Sequence, residues 1–176
     1  MMFGGKILVA GLFITTVVLH AESVAGLKWT PPSGWKSVGT QTMRAATYPV
    51  PAAAGGKEGG ECVVYFFGKD QGGSIDANLQ RWKSQFQTPD GKPAEASIKV
   101  RSVNGIAVNT IDASGSYTGM GGPVVQNKSL SQGYRLLGAI FVNPEGNIFL
   151  KFTGPRKTVT ANEQRFEQLL TSFSKQ

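Results

Sequence analysis

Hydrophobic and polar positions along this chain show two different patterns, one typical of β-strands and one with the periodicity of α-helices. The clearest stretch is residues 61–86, ECVVYFFGKDQGGSIDANLQRWKSQF. Residues 62–67 are apolar or aromatic without a break, which predicts a strand. Since successive side chains of a strand point to opposite faces, both faces of this strand are apolar. We therefore predict a central strand covered by packed layers on both sides.

A helix is predicted directly after this strand. Ser74 is a suitable N-cap, and Asp76 lies in the first turn, where the helix dipole favours a carboxylate. One apolar stripe recurs at helical spacing, formed by Ile75, Leu79, Trp82 and Phe86. This stripe predicts that the helix packs against the sheet.

Two hairpins are predicted in the second half of the chain. Asn104-Gly105 separates alternating apolar runs, which is typical of a two-residue type I′ turn. Residues 134–142 and 147–153 form the second hairpin around the turn at 143–146. Between the hairpins, the Gly-rich segment 119–133 is longer than most connections, so it is either functional or mobile.

The remaining elements complete the predicted fold. Residues 40–50 read as a strand and 51–60 as an exposed loop. A closing helix is predicted from Thr160, because Glu163 completes a capping box. Its apolar stripe consists of Phe166, Leu169, Leu170 and Phe173. Together the elements predict an α+β fold in which an antiparallel β-sheet is sandwiched between helices, an α/β/α arrangement.

The first residues have the pattern of a signal peptide. Lys6 provides a positive charge, residues 7–19 an apolar core, and Ser23-Val24-Ala25 a small-x-small cleavage motif. We expect residues 1–25 to be removed and residues 26–176 to form one domain, with cleavage after Ala21 as the alternative. The apolar run is short for a membrane span. The expected product is periplasmic or secreted and does not span the membrane after cleavage.

Composition excludes several kinds of chemistry. The one histidine, His20, lies in the segment expected to be removed, which argues against histidine triads and histidine metal sites. The one cysteine, Cys62, lies in the predicted central strand and reads as a buried apolar residue. The formal charge of +7 is spread along the chain rather than collected in a basic arm. We therefore expect no cofactor, no metal and no nucleic-acid partner.

Two polar sets are candidates for ligand or partner binding. Asn78, Arg81 and Gln85 flank the apolar stripe of the first helix, where capping of backbone groups is the alternative role. Arg156 and Lys157 precede the last helix, where they could meet an anion or could form part of a solvated loop.

One carboxylate is also a candidate for chemistry. Asp112 shares a strand face with Ile106, Val108 and Thr110. It is either an acid/base group or a member of an ion pair at the sheet rim. A Ser-Lys pair is a further formal possibility for hydrolysis.

The order of these elements resembles the PsbP-like fold family. The resemblance is carried by residues 29–35 (WTPPSGW), by the strand–helix unit through Asn78, Arg81, Trp82 and Phe86, by the two hairpins, and by residues 152–155 (FTGP) before a terminal helix. It implies an α/β/α sandwich that binds or stabilises other proteins without catalysis, as in exported bacterial members. A PsbP-type metal-binding histidine has no match in residues 26–176, so no functional residue carries over.

Three functions remain under consideration. The leading hypothesis is an exported, non-enzymatic binding or assembly module that acts on an envelope protein or complex. The first alternative is a carrier of a small apolar or anionic ligand, held between the sheet and segment 119–133. The second alternative is a hydrolase that uses Asp112 or a Ser-Lys pair.

Overall fold

The computed structural model describes residues 21–119 and 130–176. The expectations for residues 1–20, including His20, and for residues 120–129 lie outside the described residues. Within them, the elements in chain order are β1 Glu22–Val24, β2 Leu27–Trp29, β3 Arg44–Val50, β4 Gly60–Phe66, α1 Ile75–Lys83, β5 Phe86–Gln87, β6 Ala96–Val103, β7 Ile106–Tyr117, β8 Ser131–Phe141, β9 Ile148–Pro155, α2 Arg156–Ala161, α3 Glu163–Ser172 and β10 Ser174–Lys175.

Seven strands form the main sheet. Their order is β3-β4-β9-β8-β7-β5, and β6 also pairs with β7. Neighbouring strands are antiparallel throughout this sheet. The predicted α+β class with a mainly antiparallel sheet is therefore confirmed. The helices within residues 21–119 and 130–176 are too short or too polar to cross a membrane.

Strand β4 is an interior strand, as the unbroken apolar run predicts. It pairs with β3 on one side and with β9 on the other. Cys62, Val63 and Val64 are all buried, so both faces of the strand are covered. Burial raises the pKa of the Cys62 thiol, which agrees with a structural cysteine. The strand begins at Gly60, and Phe67 follows its end.

The two faces of the sheet contribute to two separate hydrophobic clusters. Successive residues of β9 alternate between them, since Phe149 belongs to one and Leu150 to the other. Leu79 and Trp82 of α1 lie in the cluster of Phe149. The cluster of Leu150 contains the helical residues Val159, Phe166, Leu169 and Leu170.

The Asn104-Gly105 turn forms as predicted. Val103 pairs with Ile106, and both turn residues have positive φ, +49° at Asn104 and +78° at Gly105. This is the backbone of a type I′ turn. Asn104 Nδ2 also donates to the carbonyl oxygens of Thr171 (3.0 Å) and Phe173 (2.8 Å), which fixes the hairpin to the end of α3.

The first helix is shorter than its apolar stripe predicts. Helix α1 ends at Lys83, and Phe86 lies in β5, paired with Tyr117. The backbone changes because the edge of β7 offers hydrogen bonds, including Thr118 N–H to the carbonyl of Gln85 at 2.9 Å. Phe86 is still fully buried in the cluster that contains Leu79. The apolar stripe therefore predicts the burial of Phe86 correctly but assigns this residue to a helix, whereas it lies in a strand.

The closing helix is divided into α2 and α3, so the prediction of one helix from Thr160 is wrong. Thr160 lies inside α2, which starts directly after Pro155. Helix α2 begins at Arg156, before Thr160, because Thr158 is anchored to the loop before β4. Its hydroxyl donates to the carbonyl of Glu58 (3.0 Å) and accepts from the N–H of Ala53 (3.2 Å). The apolar stripe is buried as predicted.

Strand boundaries also differ from the sequence prediction, most clearly at the starts of β3 and β8. The strand predicted over 40–50 begins at Arg44. Residues 131–133, assigned to the Gly-rich segment, already belong to β8 and pair with β7 around Tyr117. The backbone pairing of β7 therefore extends β8 beyond the apolar run that starts at Tyr134.

A small sheet joins the two ends of the described chain. Strand β2 lies between β1 and β10, and the N–H of Gln176 donates to the carbonyl of Gly26 at 3.0 Å. Trp29 and Trp35 are 1% and 5% exposed and anchor the opening segment in the hydrophobic core. Trp29 Nε1 donates to the Tyr48 hydroxyl (2.8 Å), which donates to the Glu22 carboxylate (2.7 Å).

Gly138 in β8 is required for close packing of α1 on the sheet. A Cβ at this position would lie 2.6 Å from Trp82 Cζ3 and 2.8 Å from Ile111 Cγ2. We expect Gly138→Ala to lower the free energy of unfolding by about 1–3 kcal/mol through overpacking. Urea unfolding measures the change, and Ser97→Ala on the exposed surface of β6 is the control. Equal stability of the two variants would contradict this packing.

Candidate functional site

A cavity of about 440 Å³ opens beside the C-terminal end of α1. Strands β4 and β9 provide one wall, the last turns of α1 another, and the residues after β7 a third. The volume lies in the usual range for small-molecule sites. The lining residues are Tyr65, Phe67, Arg81, Trp82, Ser84, Gln85, Thr118, Gly119, Phe149 and Lys151.

Aromatic side chains form the apolar part of this cavity. Tyr65 of β4 is the register partner of Phe149 of β9, so strand pairing places the two residues side by side. Phe67 meets the Phe149 ring edge-on at 5.3 Å, and Trp82 meets it edge-on at 6.5 Å. Such edge-to-face contacts fix ring orientation. The wall is therefore suited to a flat apolar group.

Lys151 is the buried polar residue of the cavity. It lies in β9 between apolar neighbours and is 5% exposed. Its Nζ donates to Gln85 Oε1 at 2.9 Å and lies 3.5 Å from the Tyr117 hydroxyl. Desolvation, with a smaller contribution from the charge of Arg81, lowers the pKa of Lys151 to about 8.

The two cations of the cavity have no acidic partner among the described residues. The ion pairs found there involve neither Lys151 nor Arg81. Residues 1–20 and 120–129 contain no Asp or Glu. Glu61, whose charge reaches Lys151, is engaged by Arg44 at 3.1 Å. The cavity is therefore positively charged when Lys151 is protonated.

The first predicted set divides into a structural residue and two cavity residues. Asn78 is 2% exposed, and its Nδ2 donates to the carbonyls of Gly72 and Ser74, both at 2.8 Å. Asn78 therefore holds the turn before α1, which is the alternative role considered for it. Its Oδ1 accepts a hydrogen bond from Arg81, and this contact orients the guanidinium at the rim. Gln85 contacts Lys151 directly.

The second predicted set lies in a different place. Arg156 and Lys157 begin α2, and neither lines the cavity. The Arg156 guanidinium donates to Ser114 Oγ at 2.5 Å on the exposed surface. The structure thus brings Arg81 and Gln85 together with Lys151, and separates them from Arg156 and Lys157.

Asp112 belongs to an ion-pair network. Arg135 Nε donates to Asp112 Oδ1 (3.0 Å) and Arg135 Nη2 to Oδ2 (2.7 Å), which is a bidentate contact. The same guanidinium contacts Glu163 at 2.7 Å, and these partners raise the pKa of Arg135. The ion pair considered for Asp112 is present. No group of three His, Cys, Asp or Glu side chains suitable for a metal occurs within residues 21–119 and 130–176.

Sequence reasoning missed Lys151, although a signal for it exists. The run Ile148–Pro155 is apolar on both strand faces up to Phe152 except for this one lysine. A charged residue in the middle of a doubly apolar strand indicates either a buried charge or a site. The cavity itself depends on where α1 ends, which the apolar stripe does not reveal.

Comparison with known proteins identifies the fold. No protein-family model matches the chain, and no curated protein sequence matches it. The solution structure of cyanobacterial PsbP (CyanoP) from Synechocystis sp. PCC 6803 matches with a TM-score of 0.50 and 12% identity, over 95% of this chain and 98% of that one. The chain has a PsbP-like fold.

A second PsbP-like structure matches equally well. The crystal structure of protein PA94 from Pseudomonas aeruginosa, described as a protein of unknown function and putative regulator, matches with a TM-score of 0.51 and 11% identity. The match covers 90% of this chain and 97% of that chain. At these identities the likeness extends to the fold alone.

The lowered pKa of the buried lysine in this PsbP-like fold predicts a pH-dependent effect on stability. Its folded-state pKa lies below that of an unfolded lysine, so the unfolded chain binds more protons between about pH 8 and pH 10. The contribution of Lys151 to the free energy of unfolding is therefore most unfavourable below pH 8, and the free energy of unfolding rises as the pH increases from 8 to 10. We expect Lys151→Met to be more stable than the natural chain at pH 7, by on the order of 1–3 kcal/mol.

The difference in the free energy of unfolding between Lys151→Met and the natural chain should decrease as the pH rises from 8 to 10. Urea unfolding across that range measures it, with Lys36→Met at an exposed lysine as the control. The natural chain is compared at each pH, so the titration of tyrosines cancels in the difference. A constant gap across the range would contradict a desolvated Lys151.

Proposed function

We propose that this chain is a non-catalytic exported binding module that carries a small ligand in the cavity beside α1. The single observation that carries the proposal is a buried lysine and a nearby arginine that line a cavity without an acidic partner among the described residues. Burial of an unpaired cation costs free energy, so a cavity that was only a packing defect would not be expected to contain one. This corresponds to the carrier considered as an alternative on sequence grounds.

The geometry argues against Asp112 as the acid/base group of the hydrolase alternative. Asp112, its candidate acid/base, has both carboxylate oxygens bonded to Arg135. A group held in this way is poorly placed to exchange a proton with a substrate. The PA94 protein of similar fold, described as of unknown function and a putative regulator, is compatible with a non-catalytic module.

The proposed layers follow from the two hydrophobic clusters. Helix α1 shares one cluster with one face of the sheet, and α3 shares the other cluster with the opposite face. We propose that α1 and α3 are the outer layers of an α/β/α sandwich. In that arrangement the cavity lies at the edge of the α1 layer, where the helix stops covering the sheet.

A retained ligand is the expected result for protein purified from the envelope of a producing cell. Native mass spectrometry should show an added mass that is lost on denaturation. Ser84→Trp, which places a bulky ring in the cavity, should abolish the added mass. Val38→Trp at an exposed position is the matched control. Retention of the same mass by Ser84→Trp would place the ligand elsewhere and contradict this site.

Export would leave the ordered N-terminal strand in place. We propose cleavage after Ala21, the alternative to Ala25, because β1 pairs with β2 and Glu22 accepts a hydrogen bond from the buried Tyr48. Cleavage after Ala25 would remove both contacts. N-terminal sequencing of the exported protein is expected to begin at Glu22, and a start at Gly26 would contradict the proposal.

A protein partner is the second candidate, and one observation favours it. Strand β6 pairs with β7, and its exposed side chains include Ile98 and Val100, which are 41% and 73% exposed. An exposed apolar edge strand is a template for strand addition. Val100→Lys should reduce capture of any specific envelope partner at least about tenfold, with Val38→Lys as the control. Equal capture of the partner by both variants would contradict binding at the edge formed by β6.

A further inference from the structure

We propose that the ligand is an amphiphilic organic monoanion, whose carboxylate contacts Lys151 and Arg81 and whose flat apolar body packs on the aromatic wall. The inference rests on the proposed function and adds the chemical class of the ligand. It also predicts that binding is coupled to proton uptake. Three features of the cavity support it: the donors of the two cations, the charges around them and the shape of the aromatic wall.

Lys151 has donors that the described residues do not fully satisfy. An ammonium group has three N–H donors and no acceptor. One donor reaches Gln85 Oε1 at 2.9 Å, and the Tyr117 hydroxyl at 3.5 Å is a weak second partner. Both partners are neutral. A carboxylate oxygen in the cavity would provide the charged acceptor that this buried group lacks.

Arg81 offers the complementary fork at the rim of the cavity. Its guanidinium has five N–H donors, of which one contacts Asn78 Oδ1. Asn78 is itself fixed by two backbone carbonyls, so the guanidinium is held by a rigid neighbour. An oriented guanidinium suits a planar carboxylate better than a single point charge does.

The surrounding charges favour one negative charge in the ligand. The titratable groups around Lys151 are Arg81 from α1, Tyr117 from β7 and Glu61 from β4, and Tyr65 of β4 lines the same cavity. Burial raises the pKa of Tyr117 to about 12 and also raises the pKa of Tyr65, so both hydroxyls are neutral near pH 8. Glu61 is bonded to Arg44. Lys151 is therefore the group whose charge changes when an anion enters.

The aromatic residues of the cavity favour a flat apolar group as the second part of the ligand. Four aromatic side chains surround the cavity, and the phenyl ring of Phe149 is held by edge contacts on two sides. A flat apolar body can stack or pack edge-on against these rings. A purely inorganic anion would leave the wall empty, and a neutral apolar ligand would leave the lysine without a counter-charge.

Four naphthalene probes with different polar groups test the ligand class: 2-naphthoate, neutral 2-naphthylmethanol, cationic 2-naphthylmethylammonium and dianionic 2-naphthyl phosphate. Titration at pH 7, followed by tryptophan fluorescence and calorimetry, should give 2-naphthoate at least about tenfold tighter binding than the other three. Lys151→Met and Arg81→Met should each weaken naphthoate at least about tenfold while changing naphthylmethanol little. Lys99→Met at an exposed lysine is the control.

Proton uptake gives a readout that a merely structural role of Lys151 would not move. Calorimetry at pH 8.5 in buffers of different ionisation enthalpy should show uptake of ~0.5 proton or more with 2-naphthoate, because the free lysine is mostly neutral there. At pH 6.5 the uptake should disappear, since the lysine is already protonated. Lys151→Arg, which stays charged, should bind 2-naphthoate without uptake at either pH.

The outcomes separate the ligand class from the binding function. If naphthylmethanol binds as tightly as naphthoate and competes with it, the cavity binds ligands and the monoanion class is wrong. Tighter binding of the phosphate probe also overturns the monoanion class. Naphthoate affinity that is unaffected by Lys151→Met and Arg81→Met overturns the proposed contacts. If none of the probes binds and native protein retains no ligand, the proposed function itself fails.

Discussion

The main constraint on this fold is that the interior strands of the sheet are apolar on both faces. In β4 and β9, adjacent residues such as Phe149 and Leu150 enter different hydrophobic clusters. Burial of each face removes apolar surface from water, at roughly 25 cal/mol per Å². Both clusters include residues from outside the sheet: α1 contributes Leu79 and Trp82 to one, and the other contains Val159 of α2 and Leu169 of α3.

The cavity is a consequence of incomplete cover on the side of α1. The helix approaches the sheet closely because Gly138 leaves room for the Trp82 ring. Gly138 is the register partner of Lys151, so the close contact and the buried amine lie side by side. Helix α1 ends at Lys83, and beside this end aromatic rings and Lys151 line the space next to the sheet. Packing geometry thus produces both the apolar wall and the isolated charge.

Local patterns predicted the strands and turns better than the ends of helices and the site. Asn104-Gly105 between alternating runs identifies the first hairpin, and the turn at 143–146 identifies the second, because short-range backbone preferences decide both turns. The end of α1 and the start of α2 depend on partners far along the chain, such as the edge of β7 and the carbonyl of Glu58. Lys151 within the apolar run of β9 is a local signal, but its association with Arg81 depends on the assembly of β4, β9 and α1, since no local spacing links the two residues.

The small sheet of β1, β2 and β10 has a consequence for how the chain reaches its final state. Strand β2 is flanked by one strand from the start of the described chain and one from its last residues. Phe173, which stacks on Trp29 at 5.0 Å, brings the same late segment into the core. The small sheet is therefore complete only when Ser174 and Lys175 have paired with β2. Because these partners are about 150 positions apart in the chain, their pairing belongs to the long-range, slower part of folding.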